Sequence, residues 1–173
     1  VAHSFPTRRS SDLSLKLGWR PAEGHTLRAQ WQYYEGEEVG IPGSGTAPLP
    51  AAADVTYPRV RRNLLQLRHA WQVDGDVLER VDWHVFYQNI ARRARIDAFP
   101  PAAPVAEIRP QADHETIGGR LLNGLRVGRH RIAAGLDIWR RDLESSRVRT
   151  FRDGSTLADI PLPTSSFLSA GAF

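Results

Sequence analysis

Cysteine and methionine are both missing from this chain, and lysine occurs once, as Lys16. Without cysteine there is neither a disulfide nor a thiolate metal centre, and the compartment stays open. No run of 18 or more apolar residues exists, so no transmembrane helix is encoded. The chain starts at Val1 rather than Met, as expected of a processed chain or a fragment. With lysine nearly gone, the positive charge is arginine: the formal net charge is +4 and the sequence pI is near 10.1. Such a balance permits nucleic acid or anionic lipid as partner and selects neither. At 173 residues the chain has the length of one domain.

What is present is alternation. From Asn63 to Asn89, two long stretches flank Asp74-Gly75-Asp76. Val77, Val81, Trp83, Val85 and Tyr87 share one parity, and Arg80, Asp82, His84 and Gln88 share the other. Side chains on a strand point alternately to opposite faces, so this strand has an apolar and a polar face. The preceding arm sets Leu65, Leu67 and Trp71 against Gln66, Arg68 and Gln72. The Asp-Gly-Asp between them suits a tight reversal. Each arm runs about ten residues or more, where soluble strands average roughly five or six and bilayer-crossing strands need roughly 9–11.

The same grammar recurs. Leu13, Leu15, Leu17 and Trp19 lead through Pro21–Gly24 to Leu27, Ala29, Trp31 and Tyr33. Ile117, Leu121, Leu125 and Val127 lead through Gly128-Arg129 to Ile132, Ala134, Leu136 and Ile138. Between these hairpins lie stretches rich in Gly, Pro and Ala that read as long loops: Glu35–Pro58, Arg92–Ala112 and Arg147–Pro163. A seventh strand is expected from Ser165 to Phe173; Ser169 and Gly171 break its apolar alternation, which predicts a truncated chain rather than a terminal strand. Connections therefore alternate short and long, as in outer-membrane barrels, with short periplasmic turns and long extracellular loops. The predicted fold is all-β: an antiparallel up-and-down transmembrane β-barrel fragment of about seven strands. Trp19, Trp71 and Val77 beside the short turns, and Tyr33 and Tyr87 toward the other ends, fit two interfacial girdles.

His3–Leu13, HSFPTRRSSDL, resembles the translated read of a sequencing adapter. Residues 1–12 are therefore expected to be non-native and are set aside from fold and function, Arg8 and Arg9 included. Residues 13–173 are expected to form the partial barrel.

WQYYEGEEVGIPG (Trp31–Gly43), GGRLLNGLRVGRHRIAAGLDIWRRD (Gly118–Asp142) and IPLPTSSFLSAGAF (Ile160–Phe173) resemble segments of TonB-dependent receptors. The likeness is one of pattern and short phrases, not of an invariant motif. It implies a larger barrel, of about 22 strands, filled by an N-terminal plug; neither the plug nor its coupling segment is visible in this sequence. It implies energy-coupled import across the outer membrane of a Gram-negative bacterium, most naturally of a ferric siderophore or other iron chelate or haem. The implied partners are outer-membrane lipid and lipopolysaccharide, the TonB energy-coupling complex through the plug, and a small-molecule ligand, with no nucleic acid.

No catalytic residue, metal ligand or cofactor is expected. Asp82 and His84 share a face but lack a nucleophile in a recognisable setting. Gly40–Gly45 follows a strand with no helix behind it, so it is not a phosphate loop. His114 borders a predicted loop, while His25, His69, His84 and His130 lack metal-ligand spacing. The candidate contacts are arginines near the long-loop ends. Arg92, Arg93, Arg95, Arg140 and Arg141 head a basic belt for lipopolysaccharide phosphates or an anionic ligand, since guanidinium forks match phosphate and carboxylate. Solvated strand ends would give the same pattern. Two other readings stay open: a passive porin or structural outer-membrane barrel, and a soluble β-barrel binding nucleic acid through arginine and aromatic stacking. Against the latter, Trp31, Trp71 and Trp83 share their face with aliphatic residues rather than arginines.

Overall fold

A computed structural model describes residues 9–40 and 54–173. The strands are β1 (Arg9–Trp19), β2 (His25–Gly40), β3 (Asp54–Gln72), β4 (Leu78–Asp97), β5 (Val105–Val127), β6 (His130–Phe151), β7 (Thr156–Asp159) and β8 (Ser165–Ala172). All pair antiparallel in one open sheet, in sequence order from β1 to β7, and β8 joins β6 beside β7. This is the predicted up-and-down architecture, with eight strands rather than seven.

The turns at one end follow from local chemistry. Gly24 (φ +74°) closes the β1–β2 turn, where a Cβ would stand 2.7 Å from the Gln72 carbonyl oxygen. Gly128 (φ +59°) opens the two-residue β5–β6 reversal, in the left-handed region that glycine occupies freely.

At the other end the strands run further than the alternation reaches. Glu35–Gly40, Asp54–Pro58, Arg92–Asp97, Val105–Ala112 and Arg147–Phe151 all belong to paired strands, where the sequence reads as loop. Thr156–Asp159 adds β7 inside the third predicted loop. Prolines, glycines and charged residues mask the period-2 signal there, while the backbone ladder continues regardless of side chain. The prolines sit where the ladder gives way. Pro58 falls at the register shift between Thr56 and Arg59, opposite Glu38 in a positive-φ conformation (φ 49°). Pro110 pairs with Arg147 on β6 but has no partner on β4, where Arg93↔Gln111 is followed by Ile96↔Ile108. A residue without an N–H is tolerated at such irregularities. At the start of β1, Arg9–Asp12 of the adapter-like stretch pair with Glu37–Tyr34; residues 1–8 lie outside the described ones, as do 41–53, with most of the first predicted loop.

The sheet has no enclosed core. Among the described residues only Val55 and Leu64 are buried hydrophobics, while Leu17 is 61% and Trp19 63% exposed. Most exposed apolar residues of the strands form one band on one face, while Leu157, Phe167 and Phe173 lie on the other. One rung of the band reads Leu17–Ala29–Leu67–Val85–Gly119–Ile138–Ala170. The band crosses the ladder obliquely: the rung of Leu13 on β1 reaches Asn63, Glu115 and Asp142, whereas the apolar run on β6 lies lower, from Ile132 to Ile138. A band level in a bilayer produces this slant when strands tilt against the membrane normal, as barrel strands do. Ser169 and Gly171 pair with Trp139 and Asp137 on the opposite face, and Leu168, Ala170 and Ala172 continue the band. From Leu168 to Ala172 β8 therefore alternates in step with the band.

Candidate functional site on the polar wall

The face opposite the band is where chemistry collects. Its rungs read Lys16–Gln30–Gln66–Phe86–Gly118–Trp139–Ser169, then Gly18–Arg28–Arg68–His84–Arg120–Asp137–Gly171. An aromatic ledge lies along the first. Gly118 leaves the space between Phe86 and Trp139, and a Cβ there would stand 2.6 Å from the Trp139 Cβ and 2.8 Å from the Phe86 ring. Trp139 packs against Phe167 (centroids 5.2 Å apart), and the Arg141 guanidinium lies 5.3 Å from its ring centre.

Beside this ledge, Arg28, Arg68, Asp82, His84 and Arg120 line a concavity of about 660 Å³. The Asp82 carboxylate is taken by Arg80, which donates at 2.5 and 2.9 Å. That leaves no free carboxylate beside His84 for acid–base work. His84 stacks on Phe86, and its Nε2 is shielded from solvent without a hydrogen-bond partner.

The predicted belt is divided by the pleat. Arg92 and Arg141 occupy the polar parity, on the rungs of Val60–Ala112 and Thr116–Phe167. Arg93 and Arg140 occupy the apolar parity, opposite Arg59 and Ile117 respectively. Arg95 pairs with Asp97 at 3.0 Å and Glu38 at 3.8 Å, and Arg140 with Asp142 at 3.0 Å. Arg141 Nε donates to Thr116 Oγ1 at 3.4 Å. The five arginines are thus not gathered on one surface. His114 lies within β5, paired with Ile90 and Leu143, and does not border a loop. No group of three or more metal-ligating side chains occurs among the described residues.

Three arrangements escaped the sequence. His25 and His69, 44 residues apart, meet on the band's short-turn edge with ring nitrogens 3.1 Å apart, and His25 stacks on Trp71. They join Trp19, Trp71 and Trp83 in the girdle expected at that edge, and Trp31 stands with Tyr33 and Tyr87 at the other. Beyond the band, Asp159 on β7 accepts from Arg147 at 2.6 and 2.8 Å and from Arg149 at 2.5 Å. Arg147, then Arg149, hold that carboxyl down to a pKa of about 2. Arg152 donates to the carbonyls of Phe99, Pro100 and Ala103 at 2.9–3.1 Å, tying the β4–β5 connection to the end of β6.

An oblique apolar band between aromatic girdles, backed by a polar wall, defines a segment of an outer-membrane-type β-barrel. Among solved structures the chain is similar to "Copper transporter OprC", with a TM-score of 0.72 and 21% sequence identity over 95% of this chain. It spans 26% of that protein's length. No family model and no curated protein matches the sequence.

Proposed function

We propose that this chain is part of the barrel wall of an outer-membrane receptor that imports a scarce nutrient. The observation that carries the reading is the two-faced sheet, with its slanted apolar band on one side and an arginine-lined wall on the other. The fold likeness to a copper transporter supports a metal nutrient as the class of cargo. Ferric siderophores and other iron chelates or haem belong to the same proposal, as do a plug inside the barrel and a TonB complex that drives it. The outer-membrane lipid contacts the band, and lipopolysaccharide phosphates meet the outward arginines above it, Arg93 and Arg59.

The test is uptake. Deleting the gene in its host under copper or iron limitation should abolish accumulation of one radiolabelled metal species, with complementation restoring it. Unchanged uptake of every metal complex would overturn the transport reading. Within a complemented strain, changing Arg92, Arg93 and Arg95 together to Gln should weaken capture of an anionic ligand; unchanged capture sinks the belt. A passive porin would instead show uptake that persists when the proton gradient is collapsed.

A further inference from the structure

We propose that Arg28 and Arg68, with His84 and Arg120 beside them, form a binding site for a phosphate- or carboxylate-bearing anion on the polar wall. Register puts Arg28 directly opposite Arg68, Arg68 opposite His84, and His84 opposite Arg120. Directly opposed side chains on one face have Cβ atoms about 4.5–5.5 Å apart, and like charges so placed repel. Lysine relieves such crowding by losing its proton; arginine stays charged at any physiological pH. The repulsion between Arg28 and Arg68 must therefore be met by water or by an anion.

Several other arginines of the sheet are supplied with carboxylates. Arg59 has Glu35, Arg80 has Asp82, Arg126 has Glu79, Arg140 has Asp142, and Arg147 and Arg149 share Asp159. No described residue forms an ion pair or hydrogen bond with Arg28 or Arg68. Arg120 lies over the Phe173 ring at 4.9 Å and makes no ion pair with its rung neighbour Asp137. The one carboxylate lining the concavity, Asp82, is already held by Arg80. What remains at this hollow is a pair of unengaged guanidinium forks with the His84 ring beside them, and its size suits a di- or triphosphate or a polycarboxylate. The aromatic ledge of Phe86 and Trp139 alongside offers a flat surface for an anion that carries a ring.

The site stands on the register alone. Only its setting, the inner wall of a barrel toward its short-turn end, rests on the barrel reading. Pyrophosphate is the probe. The 173-residue chain, held in a zwitterionic detergent with strand content checked by circular dichroism, is titrated calorimetrically at low and physiological salt. Wild type should bind one pyrophosphate saturably, and citrate should compete. Arg68→Gln and Arg28→Gln should each weaken binding at least tenfold, whereas Arg129→Gln in the far turn should not. Arg68→Lys, which keeps the charge and the fold but loses the fork, should fall between. Failure of folded wild type to bind, or equal binding by Arg68→Gln and Arg28→Gln, overturns the site. So does binding of an acidic peptide with no affinity for pyrophosphate or citrate, because the row is then a polypeptide contact. If pyrophosphate binds but the chain does not partition into bilayers, the barrel reading fails and the site survives.

Discussion

Gly118 and Gly119 are neighbours in sequence and belong to different worlds. Gly118 faces the polar wall, where Phe86 and Trp139 close over the space a Cβ would need; Gly119 faces the apolar band, where a Cβ would stand 3.5 Å from Val85 Cγ1, an ordinary contact. The polar face is thus packed locally against itself, aromatic on glycine. The apolar face is packed against nothing in the chain and is finished by its surroundings. A sheet with almost no buried core owes the stability of its two faces to different sources: side-chain contacts and hydrogen bonds on one, transfer of apolar area out of water on the other.

The largest effect should come from charging the band. Leu67→Arg, on the central rung, should cost about 2–4 kcal/mol in lipid-vesicle unfolding titrations, since a charge at bilayer mid-depth has no counterpart there. Gln66→Arg, one residue away on the polar face, should stay within about 0.5 kcal/mol. Equal costs would erase the distinction between the faces. The two glycines sharpen it at a finer scale. Gly118→Ala should lose about 1–3 kcal/mol by overpacking Trp139 and Phe86. Gly119→Ala should be neutral or gain up to about 1 kcal/mol by removing a strand glycine. The same unfolding titration reads both.

Above the band the contrast between faces disappears, because both carry charge and ion pairs hold the strands together. There pH should matter. The Asp159 carboxyl is depressed by Arg147 and Arg149 to about 2, so its contribution is complete above the ordinary carboxylate pKa and is lost as pH falls toward 2. Amide exchange in Thr156–Asp159 should therefore be slow at pH 5 and accelerate between roughly pH 4 and 2 relative to the β5–β6 ladder. Asp159→Asn should make exchange fast throughout. A flat wild-type profile would show that β7 is held by its backbone bonds alone.

How far the sequence carried this picture depended on periodicity. The parity of Leu65, Leu67 and Trp71 against Gln66, Arg68 and Gln72 is visible in one dimension, and so are the reversals at Asp74–Asp76 and Gly128-Arg129. The strand extensions are not, because arginines dominate Arg92–Asp97 and four prolines between Arg92 and Ala112 read as loop. Nor is the Arg28–Arg68–His84–Arg120 row. Arg28 and Arg68 meet across β2 and β3, whose connection includes residues 41–53, and no local turn chemistry fixes a register across so long a link. Nearness to a strand end does not fix a face: Arg92 and Arg93, adjacent in the chain, stand on opposite sides of the pleat.

The path of the chain also has a kinetic side. From β1 to β7 each strand lies against its predecessor, so every pairing joins neighbours in the chain and the sheet can grow one strand at a time. β8 is the exception: it passes β7 and pairs with the lower part of β6, Leu136↔Ala172 to Leu143↔Ser165. The outer edge of β6 is therefore completed in two separate events. The four-residue turn at 152–155 brings β7 to its charged upper end first. Leu136 and Ile138 wait for the second. An assembly halted between the two would hold the charged end of β6 and leave backbone unpaired behind its apolar band, an edge that hydrocarbon could not satisfy.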